Sequence, residues 1–278
     1  MEIKKEGIKM RDAIGNFYID NGEILVIDNW ENQEGENIIY EVIRVLEGKP
    51  LFYEAHYDRM SNSCRLSKTE FKIKKQALKR SIESLIMVNE IKEGNLKITF
   101  KIEEEDLRIF IIKHSYPTED MYALGVKTIL YHGERTNPNA KIINNDFRRD
   151  VQMKINEANV FEAILVNGEN NITEGSKSNI FFIKNNVLFT SRVELVLPGV
   201  TRMEIIKVAK ENNIKVMEKN INQHKIEEFD SLFISGTSPN ILPINQVDDI
   251  EYNINNKLLR QLMSLFKDKI RDEVEFYS

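Results

Sequence analysis

The chain of 278 residues contains a single cysteine, Cys64, and it lacks several features that would assign it to a specialised class of protein. One cysteine excludes an internal disulfide framework and favours a reducing compartment. No apolar run approaches the roughly 20 residues that span a bilayer, and the first residues do not resemble a signal peptide. We therefore expect a cytoplasmic protein without a membrane partner.

An excess of charge of one sign is also missing. The 39 basic and 44 acidic residues are interspersed and leave a net charge of −5, which argues against a nucleic-acid surface. The four histidines are far apart in the sequence and do not show the close pairing of metal ligands, so we expect no metal site. With 41% hydrophobic residues, the chain can form one large domain or two modest ones with real cores.

Alternating strand and helix patterns predict a mixed α+β fold of two domains. Residues 1–114 are interpreted as a small N-terminal α+β domain that closes with a hairpin around the acidic turn 103–106. Residues 115–121, polar and interrupted by a proline, are the predicted interdomain linker. Residues 122–278 are the predicted large C-terminal domain.

Two helix signals fall in the N-terminal part of the chain. A helix is expected to carry His56 and Arg59 on one face, where Arg59 can bind phosphate or can pair with Asp58 or Glu54. The segment 67–70 has the pattern of a capping box and predicts the start of a second helix.

A lysine and a glutamate stand out as candidate chemical groups. Lys141 lies at the predicted entry to a helix, where a side chain can be directed across a cleft, although most lysines are solvated surface charges. Glu174 ends an alternating strand and precedes Gly175, where the backbone can turn sharply. A glutamate at a strand end in water is the alternative interpretation.

Two turns have the composition of anion sites. Gly199 precedes a predicted helix, so the amides of Val200 and Thr201 point outward at its positive end, although Thr201 can equally be a structural N-cap. The segment 235–238, Ser-Gly-Thr-Ser after a strand, can form a small nest with hydroxyl donors. A lysine, a glutamate and anion-binding turns are together what a pyridoxal phosphate site requires.

In this order the motifs resemble the class IV aminotransferases, the fold-type IV pyridoxal phosphate family that includes branched-chain aminotransferases, D-amino-acid transaminases and 4-amino-4-deoxychorismate lyases. The matching segments run from about residue 40 to residue 249, most of the chain. They are Tyr40-Glu41-Val42-Ile43-Arg44, His56-Tyr57-Asp58-Arg59, Lys141-Ile142-Ile143-Asn144, Phe161-Glu162-Ala163-Ile164-Leu165, Thr173-Glu174-Gly175-Ser176, Ser178-Asn179-Ile180-Phe181, Leu197-Pro198-Gly199-Val200-Thr201-Arg202, Phe233-Ile234-Ser235-Gly236-Thr237-Ser238 and Leu242-Pro243-Ile244.

The resemblance implies a set of roles and an architecture. Lys141 would be the Schiff-base lysine and Glu174 the partner of the pyridine nitrogen. The cofactor phosphate would be bound by the residues Arg59, Val200, Thr201 and Thr237. A small N-terminal domain, a larger C-terminal pseudo-barrel domain with pyridoxal 5'-phosphate between them, and a homodimer are likewise implied.

Departures from the family pattern bear on the substrate. The segment 35–39 differs from the usual Phe-Gly-Asp-Gly-like sequence, and Asp146 replaces the tyrosine that branched-chain enzymes place after the lysine. The Arg-x-His carboxylate trap of D-amino-acid transaminases is missing, whereas Lys-x-x-Asn and the segment 135–138 look closest to the lyases. Tyr40, Arg135 and Ser238 are the candidate substrate contacts.

Two activities follow from the resemblance. The first is transfer of an amino group from an amino acid of branched-chain type to a 2-oxo acid. The second is a lyase reaction that releases pyruvate and 4-aminobenzoate.

Overall fold

The computed structural model describes residues 12–33, 35, 37–135, 137–143 and 145–277, and for residue 145 the backbone alone. Glu36, Thr136 and Asn144, which belong to segments compared with the family above, lie outside the described residues. The chain forms an antiparallel N-terminal sheet followed by a larger mixed sheet, so the expected mixed α+β fold is confirmed. No helix in the described ranges is long and apolar enough to cross a membrane.

The N-terminal sheet consists of antiparallel strands in the spatial order β2-β1-β6-β5-β3-β4. The strands are β1 (Ala13–Asp20), β2 (Glu23–Val26), β3 (Ile38–Leu46), β4 (Lys49–Pro50), β5 (Glu93–Lys101) and β6 (Asp106–Ile112). The acidic turn between β5 and β6 forms the hairpin that the sequence predicts.

One face of this sheet is covered by helices α1 (Tyr53–Leu66) and α2 (Lys75–Val88). Ile39 and Ile43 of β3 are fully buried in the core that the helices form with the sheet, and each such side chain contributes about 1.5–3 kcal/mol by burial. Because side chains alternate along a strand, Tyr40 lies on the opposite face.

The predicted start of α2 is wrong. Ser67 follows the last turn of α1 and its amide donates to the carbonyl of Ser63 at 3.1 Å. Lys68 then takes a left-handed conformation, with φ of 59°, which stops the helix. The N-cap of α2 is Lys74, which makes no side-chain capping bond. The hydroxyl residue of the apparent capping box therefore ends one helix and does not begin the next.

The C-terminal sheet runs in the order β12-β11-β10-β14-β15-β7-β8-β9-β13, with β16 paired to β15. It is mixed because β7 is parallel to both β8 and β15, and β11 is parallel to β12. The strands are β7 (Val126–His132), β8 (Glu162–Val166), β9 (Asn171–Gly175), β10 (Asn179–Lys184), β11 (Val187–Thr190), β12 (Val216–Glu218), β13 (Ile221–Asn222), β14 (Ser231–Gly236), β15 (Asn240–Val247) and β16 (Ile250–Glu251).

Four helices within the described residues accompany this sheet. They are α3 (Glu119–Leu124), α4 (Asn145–Ala158), α5 (Val200–Glu211) and α6 (Lys257–Glu275). Phe181 and Phe233 of adjacent strands stack at 4.9 Å in the core that the sheet shares with α5 and α6. Val151 and Ile155 of α4 pack on β8.

The predicted linker, residues 115–121, ends in a helix. Thr118 is the N-cap of α3, and its hydroxyl accepts the amide of Met121 at 3.3 Å. Residues 119–121 therefore belong to a short helix, because the Thr118 hydroxyl caps its first turn. The domain boundaries at 114 and 121 stay a prediction.

Candidate active site

Lys141 lies where the two sheets meet. Its carbonyl accepts the amide of Tyr40 at 3.0 Å, and the amide of Ile143 donates to the carbonyl of Ile38 at 3.1 Å. Residues 141–143 thus run antiparallel beside the first residues of β3, with a bridge between Ile39 and Ile142. The ammonium nitrogen of Lys141 is 4.7 Å from the centre of the Tyr40 ring.

The surroundings of Lys141 favour its neutral amine. Burial lowers the pKa of Lys141, and the nearby cations Arg59 and Arg135 act in the same direction. Tyr40 and Glu41 oppose this effect without cancelling it. A lysine with a lowered pKa is more readily present as the neutral amine, which can act as a nucleophile and accept a proton.

Tyr40 is surrounded by positive charge. Burial alone would raise the pKa of Tyr40, but the charges of Lys141, Arg148 and Arg135 lower it to about 8. Arg148, from the second turn of α4, donates a hydrogen bond to the Tyr40 hydroxyl. Arg148 did not stand out in the sequence, because a single arginine on an amphipathic helix resembles a solvated surface charge.

Arg59 is fixed by a buried carboxylate on the helix-covered face of the N-terminal sheet. Its guanidinium donates to both oxygens of Glu41, at 2.8 and 2.5 Å, and His56 Nδ1 lies 2.8 Å from Glu41 Oε2. Burial would raise the pKa of Glu41, but the Arg59 cation and these bonds lower it to about 2. Asp58 and Glu54, the alternative partners considered for Arg59, instead bind Lys75.

The start of α5 has the form of an anion site. Arg59 Nη1 reaches the carbonyl of Pro198 at 3.5 Å, just before this helix. Gly199 is the N-cap and no side chain caps the helix, so the capping role considered for Thr201 is wrong. The amides of Val200 and Thr201 have no intrahelical acceptor and lie at the positive end of the helix dipole.

Gly199 is required here by close contact. A Cβ at this position would lie 2.0 Å from Oδ1 of Asn179. The same Asn179 side chain donates to the carbonyl of Leu197 at 2.9 Å, which ties the Pro-Gly turn to β10. Thus the backbone before α5 is positioned by a side chain from the adjacent strand.

Glu174 is buried at the end of β9, close to the same turn. Its Oε2 accepts the amide of Leu197 at 3.0 Å, and its Oε1 is 3.4 Å from Nε of Arg135. Burial raises the pKa of Glu174, against the opposing effect of the Arg135 cation. The alternative of a solvated strand-end glutamate is therefore wrong. A buried carboxylate of this kind can hold a protonated ring nitrogen.

A second buried carboxylate, Glu162 of β8, shapes the loop after Glu174. It accepts the amide of Lys177 at 2.6 Å and the hydroxyl of Ser178 at 3.0 Å. A Cβ on Gly175 would lie 2.1 Å from the Ser178 hydroxyl, so the loop needs glycine at this point. The signal for Glu162 was present in the sequence as a glutamate inside an apolar strand.

The turn after β14 binds the N-terminal sheet. The hydroxyl of Thr237 donates to the carbonyl of Val42 at 3.3 Å, and the hydroxyl of Ser238 accepts from Asn95 at 3.1 Å. Ser235, which pairs with Asn179 across the strands, has a buried hydroxyl without a partner in the described part of the chain. The turn after β14 therefore lies close to Asn179 of β10, whose side chain contacts the Pro-Gly turn before α5.

The predicted site residues fall into three groups. Lys141, Tyr40, Arg135 and Glu174 are linked by contact or charge, and Arg59 approaches the start of α5, where Val200 and Thr201 lie. Thr237 and Ser238 adjoin the N-terminal sheet. A low-pKa lysine, a buried carboxylate and a cationic helix start are the groups that a pyridine ring, its aldehyde and its phosphate need.

Residues 38–247 match the family model "Amino-transferase class IV", and the chain belongs to this family. It is therefore a class IV aminotransferase, and its cofactor is pyridoxal phosphate. The residues present fit this group, because the first amides of α5 have no side-chain cap among the described residues and Glu174 is buried next to the turn before α5.

Relatives with two different substrate names match most of the chain. The D-alanine aminotransferase of Listeria monocytogenes is 28% identical over 87% of this chain and 89% of its own length. A Methanocaldococcus jannaschii protein named "Putative branched-chain-amino-acid aminotransferase" is 29% identical over 84% of this chain and 86% of its own length. The structure of the Escherichia coli branched-chain amino acid aminotransferase superposes with a TM-score of 0.84 at 21% identity and covers 92% of this chain and 95% of that one.

Proposed function

We propose that the chain transfers the amino group of an amino acid of branched-chain type to a 2-oxo acid, with Lys141 as the catalytic residue. The observation that carries the proposal is the position of the Lys141 amine, 4.7 Å from the Tyr40 ring centre, in a site that also contains buried Glu174 and the start of α5. The support for a branched-chain donor is the Methanocaldococcus jannaschii relative.

The roles of the chain's own groups follow from their chemistry. Pyridoxal phosphate, when bound, supplies an electron sink that acidifies the Cα–H bond of the amino acid. Lys141 would hold the cofactor through its amine and, once the substrate amino group has displaced it, would accept the Cα proton at Nζ and release it again in the second half of the exchange. Glu174 keeps the ring nitrogen protonated, because an adjacent anion favours the charged form of a base.

The phosphate is assigned to the uncapped helix start and its neighbours. Arg59 offers Nη1, and Val200 and Thr201 offer backbone amides. Thr237 adds a hydroxyl, which can exchange its contact with the Val42 carbonyl for one with the phosphate.

The substrate side of the site is assigned to Tyr40, Arg135 and Ser238. The Tyr40 ring centre is 4.7 Å from the Lys141 amine. Arg135 contacts both Glu174 and the carbonyl of Ser176. We also propose a homodimer. The cytoplasmic location expected from the sequence stays a prediction.

D-Alanine is the second candidate donor, because the Listeria relative is as similar to this chain as the archaeal one. The lyase reaction would use the same lysine. It is distinguished from transamination by its products, pyruvate and 4-aminobenzoate. A panel of L-leucine, L-valine, D-alanine and 4-amino-4-deoxychorismate therefore covers the three activities.

The test is the absorbance spectrum of the purified protein with pyridoxal phosphate, before and after each single substrate. We expect the cofactor absorbance to change to that of the amino form with L-leucine and L-valine, with release of the matching 2-oxo acid. Conversion by D-alanine alone would contradict the branched-chain proposal. Release of pyruvate from 4-amino-4-deoxychorismate without such conversion would establish the lyase.

Two variants test the assigned roles. Lys141→Ala should lose the absorbance of lysine-bound cofactor while remaining folded, and Lys154→Ala, an exposed residue that pairs with Glu157, should behave as wild type. Glu174→Gln should still bind the cofactor but slow transfer roughly 100-fold, because a neutral amide no longer stabilises the ring charge. An unchanged spectrum in the first variant, or normal turnover in the second, would refute the assignment.

A further inference from the structure

We propose that Glu273 of α6 is a positioning residue for the cofactor phosphate. It holds α1, which carries Arg59, in a fixed position relative to α5, whose first amides receive the phosphate. The proposal rests on the phosphate site assigned under the proposed function, and it adds to that site a residue from a third helix. Its basis is a set of contacts through which α6 joins the two helices that bind the phosphate.

The groups assigned to the phosphate come from distant elements. Arg59 belongs to α1, and its guanidinium is bound to Glu41 of β3 in the N-terminal sheet. The amides of Val200 and Thr201 begin α5, which packs in the C-terminal core. The direct contact between the two parts is long, at 3.5 Å from Arg59 Nη1 to the carbonyl of Pro198. Glu41 therefore fixes Arg59 relative to one sheet only, and the distance from Arg59 to α5 depends on other contacts of α1.

Glu273 binds the start of α1. Its Oε1 accepts the amide of Phe52, the N-cap of α1, at 3.2 Å. Phe52 has a left-handed backbone with φ of 53°, which is unfavourable for a bulky residue and needs support from its surroundings. Its ring stacks on Phe266 of α6, with the ring centres 6.1 Å apart. The Glu273 carboxylate thus supplies a cap from another helix, at the positive end of the α1 dipole.

The same carboxylate is connected to α5 through a lysine. The Lys269 ammonium, one turn before Glu273 on α6, lies 4.0 Å from Glu273 Oε2 and 4.0 Å from Oε2 of Glu204 on α5. At these distances the lysine attracts both carboxylates and is paired exclusively with neither. The three side chains are between 17% and 28% exposed, so salt screens their attraction less than on an open surface.

Apolar packing places the start of α1 beside the same two helices. Leu51 and Phe52 belong to the buried core that contains Ile205 of α5 and Ile270 of α6. The later turns of α1 instead cover the N-terminal sheet. Helix α1 therefore begins in the C-terminal core, and Arg59 follows about two turns later at the phosphate site.

Loss of the Glu273 carboxylate should loosen the start of α1 without removing any phosphate donor. Arg59 would stay bound to Glu41, but its distance from the amides of α5 would be less well fixed. Donors that are not preorganised bind a ligand more weakly, because ordering them then opposes binding. We expect roughly 3- to 10-fold weaker binding of pyridoxal phosphate, as is typical for the loss of one helix-capping contact.

The experiment titrates the cofactor-free, full-length protein with pyridoxal phosphate and with pyridoxal, which has the same aldehyde but no phosphate. Absorbance gives both dissociation constants. In Glu273→Ala the constant for pyridoxal phosphate should rise roughly 3- to 10-fold, and that for pyridoxal should change less than about 2-fold. Glu273→Gln should be intermediate, because its amide oxygen still accepts the Phe52 amide but carries no charge. Glu275→Ala removes an exposed carboxylate from the same helix and should match the wild type.

The comparison with pyridoxal separates positioning from general destabilisation, which would weaken both ligands alike. Gly199→Ala, which alters the start of α5 directly, tests the phosphate site itself. If Gly199→Ala leaves the preference for pyridoxal phosphate over pyridoxal unchanged, the assigned phosphate site fails and this proposal fails with it. If Gly199→Ala reduces the preference but Glu273→Ala does not, or if Glu273→Ala weakens both ligands equally, the phosphate site stands and the role of Glu273 is overturned.

Discussion

Replacing Glu41 by glutamine should destabilise the N-terminal sheet strongly at neutral pH. The folded structure lowers the pKa of Glu41 from 4.5 to about 2, and each tenfold change in proton affinity corresponds to about 1.36 kcal/mol. The ionised carboxylate therefore contributes roughly 3 kcal/mol to the free energy of unfolding. This agrees with the 3–5 kcal/mol expected when one partner of a buried ion pair is removed, because Arg59 would remain buried without its anion.

The lowered pKa of Glu41 also predicts how the effect of Glu41→Gln on the unfolding free energy depends on pH. Since folding lowers the pKa of Glu41, its contribution is complete above pH 4.5 and is lost as the pH falls through about 2. The difference in unfolding free energy between wild type and Glu41→Gln should therefore be largest at neutral pH and should shrink between about pH 4.5 and pH 2.

Urea unfolding followed by tryptophan fluorescence measures this difference where it arises. Trp30 is the chain's one tryptophan, and it packs on the N-terminal sheet 4.4 Å from the Phe110 ring centre. Glu93→Gln is the matched control, because Glu93 also pairs with an arginine on this sheet but is half exposed, so its loss should cost less than about 1 kcal/mol. Equal losses in the two variants, or a Glu41→Gln effect independent of pH, would refute the reasoning.

Two further predictions concern the site itself. Gly199→Ala should weaken pyridoxal phosphate binding at least about 10-fold, because the new Cβ would lie 2.0 Å from Oδ1 of Asn179. The control Gly168→Ala, whose Cβ would meet no atom within 4 Å, should bind the cofactor as wild type does. Equal affinities of the two variants in a spectroscopic titration would contradict the requirement for glycine at position 199. Tyr40 should ionise near pH 8 in an ultraviolet difference titration, below its ordinary 10, and Lys141→Ala should raise that pKa because a neighbouring cation is lost. A midpoint near 10 in the wild type, or one unmoved in the variant, would contradict the electrostatic account.

The sequence was most informative where chemistry is local. Glu174 before Gly175 and the Pro-Gly turn before Val200 are short segments whose backbone geometry follows from a few adjacent residues. Lys141 was found by its resemblance to a family segment, and the structure places its amine beside Tyr40.

The sequence was misleading where an interaction joins distant elements. The local alternative for Arg59 was a pair with Asp58 or Glu54 on its own helix, but its carboxylate partner Glu41 comes from a strand 18 residues earlier. The apparent capping box at 67–70 fits the sequence rule, yet a left-handed residue at position 68 ends α1 instead. Local patterns cannot decide between such alternatives, because the competing partners belong to other elements.

The amino-acid sequence by itself determined the family, the mixed α+β class and the candidate residues, since these depend on residue types and their order. Only the tertiary structure decided which charges share one site. It places Arg148 of α4 against the ring of Tyr40, pairs Arg135 with Glu174 and pairs Arg59 with Glu41. The physical reason is that charge interactions depend on distance and burial, and both are set by how the two sheets pack against each other and their helices.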